Sequence, residues 1–368
     1  MIRVYGQRQR GQDWLGRVRG QRPGLVLTLG FTETGLREGI SAAGATPRDR
    51  TFTALADAEF MVNGVTAAPR YPLPPLQAGA SPALISRAVI AGQGIPLVIF
   101  NGGLPLPPSV PHRDLGGKPA QCLSTGAALP LEVVWHLWQQ GLAQGEVLGG
   151  ESDYLLLAEC VVGGTTTALG LLTGLGVDAA ERVNSSHPTC NHPQKQMLVA
   201  EGLARAGLPA APHPLAVVAA VGDPMQPVVA GLALAASRTR PVLLAGGTQM
   251  LAVYALMTAM AAAEGYPWNP ENVVVGTTRW VAEDATGDTV GLAALTGACL
   301  MATQLSLADS RFEALRAYER GFVKEGVGAG GCAIAAALYQ NWDQPTLLAA
   351  IEALLSQAVR QASGPPTA

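Results

Sequence analysis

Charge is scarce in this sequence. Charged residues occupy 14% of its 368 positions and the formal net charge is −3. No excess positive field exists to collect a polyphosphate backbone, so nucleic acid is not an expected partner. Cysteine is equally thin. The five residues Cys122, Cys160, Cys190, Cys299 and Cys332 are odd in number and free of C-x-x-C spacing, which argues against a disulfide framework and fits a reducing cytoplasm. No apolar run is long enough to cross a membrane. The longest, Met250 to Ala263, is interrupted by Tyr254 and Thr258 and reads as a buried helix. The start of the chain lacks the apolar core of a secretory signal. Neither a G-x-S-x-G elbow nor a phosphate loop ending in Gly-Lys-Ser/Thr occurs, which removes the usual signatures of acyl and ATP hydrolysis.

What is present is apolar residue, nearly half the chain, enough for one large α/β unit or two smaller domains. A run of arginines, Arg3, Arg8, Arg10, Arg17, Arg19 and Arg22, sits in a Gly- and Gln-rich start and reads as a solvated, mobile arm or an anion contact. Short Leu- and Val-rich runs then end repeatedly in glycine and lead into small-residue helical stretches. Five are clear: Leu25 to Gly30, Pro96 to Phe100, Tyr154 to Ala158, Pro241 to Ala245 and Asn272 to Val275. This alternation predicts an α/β fold, a mostly parallel sheet with helices on both faces in a Rossmann-like three-layer arrangement. Ligands in such sheets gather beyond the carboxyl ends of strands. From about Leu305 the pattern turns helical, with Arg311 to Glu319 and Leu347 to Val359 amphipathic. The expected organisation is a single unit, 1–368. It has an α/β core over 24–304 and a small helical subdomain over 305–368, joined by part of the N-terminal third. Pro72 to Pro82 and Leu104 to Pro119 read as long surface connections.

Three constellations could carry chemistry. In Glu159-Cys160-Val161-Val162-Gly163-Gly164-Thr165-Thr166-Thr167 a strand delivers an acid and a Gly-Gly-Thr-Thr-Thr turn opens a helix. Unpaired N–H groups at such a helix start attract phosphate, although threonines at a helix start also serve as ordinary caps. In Lys324-Glu325-Gly326-Val327-Gly328-Ala329-Gly330-Gly331 a carboxylate is framed by glycine. Closure over it would raise its pKa toward working pH and suit it to general-base work, and an exposed acid before a helix is the plain alternative. The formal G-x-G-x-x-G at Gly326, Gly328 and Gly331 opens no βαβ unit and is not a dinucleotide fingerprint. In His187-Pro188-Thr189-Cys190-Asn191-His192 three potential metal ligands fall within six residues. No second cluster completes the set, so no metal is expected and Asn191 or His192 reads as the cap of a helix starting near Pro193. Gly246-Gly247-Thr248 repeats the turn chemistry after a later strand. Arg279 follows another, where it could grip a carboxylate or phosphate or else form an Arg–Asp pair that ties the loop down.

In this order and spacing the elements resemble the nicotinate-nucleotide:dimethylbenzimidazole phosphoribosyltransferase family, and within it the divergent archaeal and cyanobacterial relatives. Family members carry Gly-Glu-Met-Gly-Ile-Gly-Asn-Thr-Thr and a late Gly-Glu-Gly-Thr-Gly. Here Glu159 to Thr166 matches the first and Glu325 to Gly328 the second. Val221-Gly222-Asp223 with Val229-Ala230-Gly231 and the strand Pro241 to Gly247 match segments between them. The likeness runs from about Leu131 to Ala336. Val161 and Gly164 depart from the family's glycine and asparagine, and Ala245 from its aspartate.

The resemblance implies a cytoplasmic homodimeric enzyme that transfers ribose 5-phosphate from nicotinate mononucleotide to a nitrogenous base and makes an α-riboside phosphate for a cobamide lower ligand. It needs no cofactor. Glu325 would be the general base. Glu159, Gly163, Gly164, Thr165, Thr166, Thr167, Gly246, Gly247, Thr248, Arg279, Gly326 and Gly328 would bind the nucleotide and its phosphate. The alternatives are a nucleotide-binding regulator without turnover and a hydrolase using the same site.

Overall fold

Leu155 and Leu157 point to one side of their strand and Leu156 and Ala158 to the other, yet all four are buried. That double burial is what a parallel sheet between two helical layers requires. The computed structural model describes residues 1–74, 76, 78–148 and 152–362. Its single eight-stranded sheet comprises β1 (Ile2–Val4), β2 (Pro23–Leu29), β3 (Leu97–Asn101), β4 (Arg113–Asp114), β5 (Tyr154–Cys160), β6 (Val242–Ala245), β7 (Val273–Thr278) and β8 (Leu300–Thr303). The spatial order is β1-β8-β7-β6-β5-β2-β3-β4. All neighbours are parallel except β1, which runs antiparallel to β8. The α/β class expected from the sequence is the class observed.

On one face the helix Leu131–Val147 packs along Met225–Ser237, and Gly164–Gly174 along Thr248–Glu264. Gly141 and Gly145, one turn apart, permit the first pairing. A Cβ on either would fall 2.3 or 2.5 Å from a carbonyl oxygen of the partner helix. The other face is covered by Arg8–Val18, Ala83–Gln93, Ala329–Tyr339 and Gln344–Ala362. The helices after residue 305 therefore lie against the N-terminal third. Ala329–Tyr339 packs on β6, β7 and β8, and both it and Gln344–Ala362 contact Ala83–Gln93. The last stretch assigned to the helical subdomain, 363–368, and positions 75 and 77 of the Pro72 to Pro82 connection lie outside the described residues.

The arginine-rich start is not a mobile arm. Ile2–Val4 is an edge strand and Arg8–Val18 a packed helix with Trp14 fully buried. Arg10 donates to the carbonyls of Pro270 and Val273, and Arg17 to the Glu271 carbonyl and the Asn272 side chain. Alternating Arg and Gln on one helix face read as solvation, but the uncapped carbonyls before β7 satisfy those guanidinium groups. No helix among the described residues is long and apolar enough to cross a membrane.

Candidate functional site

From β2 the chain fills the sheet outward to β3 and β4, then returns to place β5 on the other side of β2. Beyond the carboxyl ends near this reversal, where open α/β sheets bind ligands, lies an open cavity of about 170 Å³. Its walls come from positions 41–43, 53, 57, 74, 76, 81–82, 159–165, 184–186, 247–249 and 323–327, with Val281. Thus it brings together eight of the residues singled out from sequence: Glu159, Gly163, Gly164, Thr165, Gly247, Thr248, Glu325 and Gly326.

The turn after β5 is shaped by crowding. Gly163 has φ +90°, and a Cβ on it would lie 2.8 Å from the amide nitrogen of Gly35. Only glycine meets both demands. Helix Gly164–Gly174 begins there, and among the described residues the N–H groups of Gly163 and Thr165 have no hydrogen-bond partner. Such free donors at a helix start favour an anion. Thr166 and Thr167 do not line the cavity. Both are fully buried behind the turn, and Thr167 donates to Asp223 Oδ2 at 2.6 Å. Asp223 also accepts from Gln249 Nε2 at 2.7 Å and caps the N–H groups of Met225 and Gln226.

Glu159 enters the cavity from the end of β5 and Glu325 from the loop before Ala329–Tyr339. Glu325 accepts four hydrogen bonds. Thr277 Oγ1 and the Thr278 N–H donate to Oε2 at 3.0 Å each, and the N–H groups of Gly326 and Gly330 donate to Oε1 at 3.2 and 3.1 Å. Burial raises its pKa above the usual carboxylate range, and these donors pull the other way. Glu159 accepts one, from the Val161 N–H at 2.8 Å. Burial, with the charges of Asp223 and Glu325 behind it, pushes Glu159 up to about 8.

Two lysines are buried here, one in the cavity wall and one bonded to a wall residue. Lys324 lines the cavity and pairs with Asp284 at 2.5 Å. Lys195 donates to the Asn184 carbonyl, and burial pushes its pKa down to about 8. Asn184 in turn bonds Thr248 and Asp284. Sequence reading missed Asn184, Lys195, Lys324 as a wall residue, Gln249 and Asp57. For Asp57 a signal existed, an acid inside the apolar helical run Ala54-Leu55-Ala56-Asp57-Ala58. Lys195 lies on the helix expected to start near Pro193, and nothing local marks it.

Gly246, Gly328 and Arg279 do not line the cavity. Gly328, at φ +73°, packs where a Cβ would lie 2.7 Å from that of Ala158. Arg279 pairs with Glu319, donates to the Leu305 carbonyl and lies over the Trp280 ring; of its two sequence readings, this is the loop tie. In the His187 to His192 segment, Asn191 stands at the N-cap of His192–Ala206, but its amide bonds Gly39, Ile40 and Gln194 and caps nothing. His192 Nε2 meets the Thr286 carbonyl, and Cys190 bonds Thr286 and Asp284. No three His, Cys, Asp or Glu side chains among the described residues are grouped to hold a metal ion.

A UPF0284 protein of Cyanothece sp. is 65% identical over 355 residues, spanning 96% of both chains. A UPF0284 protein of Microcystis aeruginosa is 60% identical over 356 residues, 96% of this chain and 98% of that protein. Among solved structures, CobT from Thermus thermophilus matches with a TM-score of 0.59 at 18% identity, covering 97% of this chain and 91% of that one. The nicotinate-nucleotide-dimethylbenzimidazole phosphoribosyltransferase from the same organism matches with a TM-score of 0.58 at 18% identity, covering 99% and 96%. At such identity the likeness is one of fold. No protein-family model matches the chain.

Proposed function

Starting from the chain's membership of the UPF0284 family, we propose that it is a phosphoribosyltransferase moving ribose 5-phosphate from nicotinate mononucleotide to a nitrogenous base. The observation that carries this reading is the meeting, in one cavity at the switch point, of a free-amide helix start and two half-buried glutamates with unequal donor supply. The fold shared with enzymes that carry this activity in their names supports it.

In the proposed reaction the donor phosphate rests on the Gly163 to Thr165 turn, with the Lys324 and Lys195 charges nearby. A ring nitrogen of the acceptor forms a bond to the anomeric carbon while the bond from that carbon to the pyridine nitrogen breaks. The electron pair neutralises the pyridinium ring, which leaves as nicotinate, and inversion gives an α-riboside phosphate. The proton of the acceptor ring goes to Glu325, whose four donors favour the ionised form against the burial that raises its pKa. Proton transfer to a placed base contributes roughly 10²–10⁴-fold, and orientation of the two substrates contributes more. Glu159, largely protonated at neutral pH, offers a neutral O–H to the donor. The protein is carried over as a homodimer, which light scattering checks.

The test is incubation of the purified protein with nicotinate mononucleotide and a panel of bases, with products identified by mass. A riboside phosphate of the added base supports the reading. Free ribose phosphate formed without any base would replace it with a hydrolase, and tight nucleotide binding with no product would replace it with a binding protein.

A further inference from the structure

The side of the cavity built by the N-terminal third holds a polar group that the transfer scheme leaves unused. Asp57 belongs to the helix Pro47–Asn63, which is fixed at its start by Pro47 and a capping box between Thr46 and Asp49. The residue is 4% exposed and lines the cavity. Its neighbours in sequence, Leu55, Ala56 and Ala58, are fully buried apolar residues. Asp57 Oδ1 accepts from Ser81 Oγ at 3.1 Å and Oδ2 from Cys160 Sγ at 3.3 Å.

These two partners tie Asp57 to both acid-bearing segments. Cys160 is next to Glu159 in β5. Ser81 precedes Pro82, whose ring packs against Gly326 so closely that a Cβ there would lie 2.8 Å from Pro82 Cγ. Around them Pro74, Leu76, Pro82, Val323 and Val327 give an apolar surface suited to a flat ring. A carboxylate offers about four acceptor positions, and only two are filled here. Among the described residues no cation pairs with it, and burial pushes it up to about 6. An acceptor site left this way in an apolar wall is costly unless a ligand donor occupies it.

We infer that Asp57 selects the acceptor, so that the cavity takes a flat nitrogen heterocycle bearing a second N–H donor, such as an exocyclic amino group, besides the ring nitrogen that attacks. The inference rests on the transferase reading. Geometry distinguishes the two polar contacts of the acceptor: one N–H faces Glu325 and is lost in the reaction, and the other faces Asp57 and is kept. A site built to bond a substrate N–H discriminates strongly against analogues that lack it, because its own buried group is then left unpaired.

The experiment compares kcat/KM of the wild type for adenine, for purine, which is the same ring without the amino group, and for 5,6-dimethylbenzimidazole, all with nicotinate mononucleotide as donor. Adenine should exceed each of the others by about 100-fold or more. The near-isosteric Asp57→Asn should bring that preference to within about 10-fold, with donor affinity by calorimetry reporting that the variant is folded. Transfer to all three bases at similar efficiency in the wild type overturns the inference while leaving the transferase reading intact, and needs no variant. A rise in donor KM of Asp57→Asn with every base alike, its preference unchanged, would place Asp57 against the ribose and also overturn it. Failure of every base to accept ribose phosphate removes the transferase reading and the inference with it.

Discussion

The end of β5 and the loop before Ala329–Tyr339 each bring one glutamate to the same cavity, and they hold it in opposite ways. Around Glu325 the chain supplies three amide N–H groups and a hydroxyl, one pair to each oxygen. Around Glu159 it supplies one amide N–H and sets Asp223 and Glu325 behind. Burial raises both acids, so depth alone does not separate them. The donor supply does. A carboxylate rich in donors keeps its charge, and one that is poor in donors and near other acids keeps its proton. Proximity of the two further means that they titrate as a linked set.

The strongest way to break this contrast is Glu325→Gln, which preserves shape and removes the proton acceptor. Turnover should fall about 100-fold or more with nucleotide affinity retained, read from steady-state rates and calorimetry on the same preparation. A rate within a fewfold of the wild type would transfer the base role to Glu159. Next in size is Gly330→Ala, which disturbs the donors of Glu325 without touching the acid. The added Cβ would lie 2.1 Å from the Thr277 carbonyl carbon, so the helix start must shift, at a cost of about 1–3 kcal/mol in denaturant unfolding.

Glu159→Gln sharpens the other side. The wild-type acid titrates near its ordinary 4.5 when unfolded and at about 8 when folded. Between those values the native state binds the extra proton, so stability is greatest below 4.5 and is lost as pH rises through 8, by up to about 1.4 kcal/mol per pH unit. The glutamine variant lacks that component, and unfolding curves from pH 5 to 8 should be flatter. Asp57, also raised, contributes in both proteins and cancels in the difference. A slope identical to that of the wild type would show Glu159 ionised in the fold. The smallest effect belongs to Arg279→Ala, which breaks a half-buried pair with Glu319. Stability should drop by about 1 kcal/mol or less with nucleotide affinity unchanged, and a clear loss of affinity would bring Arg279 back into the site.

Much of the fold was legible because parallel strands declare themselves as short apolar runs ending in glycine. β2, β3, β5, β6 and β7 read that way. β8 did not, since Leu300 to Thr303 follows Gly297-Ala298-Cys299 with Thr303 as its one β-branched residue and resembles the helix before it. β1 was hidden among arginines whose partners, carbonyls of 270–273, lie far along the chain. At the site, residues that act through main chain were visible as glycine and threonine clusters. Asp57 and Asn184 reach the cavity only through tertiary packing, and local pattern carries no record of that. For the same reason Thr167 looked like a phosphate ligand, although it is spent on Asp223.

The antiparallel pairing of β1 with β8 joins Ile2 to Thr303, the first strand of the sheet to be made and the last. On a ribosome moving roughly 5–20 residues per second, the opening strand emerges on the order of 15–60 s before its partner exists. During that interval Ile2 to Val18, with Trp14 and Leu15 among them, has no sheet edge or β7 loop to close upon. Arginine is dense in the segment that must wait, and such charge opposes aggregation of an unpaired apolar strand. Sheet completion is thereby coupled to synthesis of nearly every other element, and a nascent product that stops before β8 cannot seal its own edge.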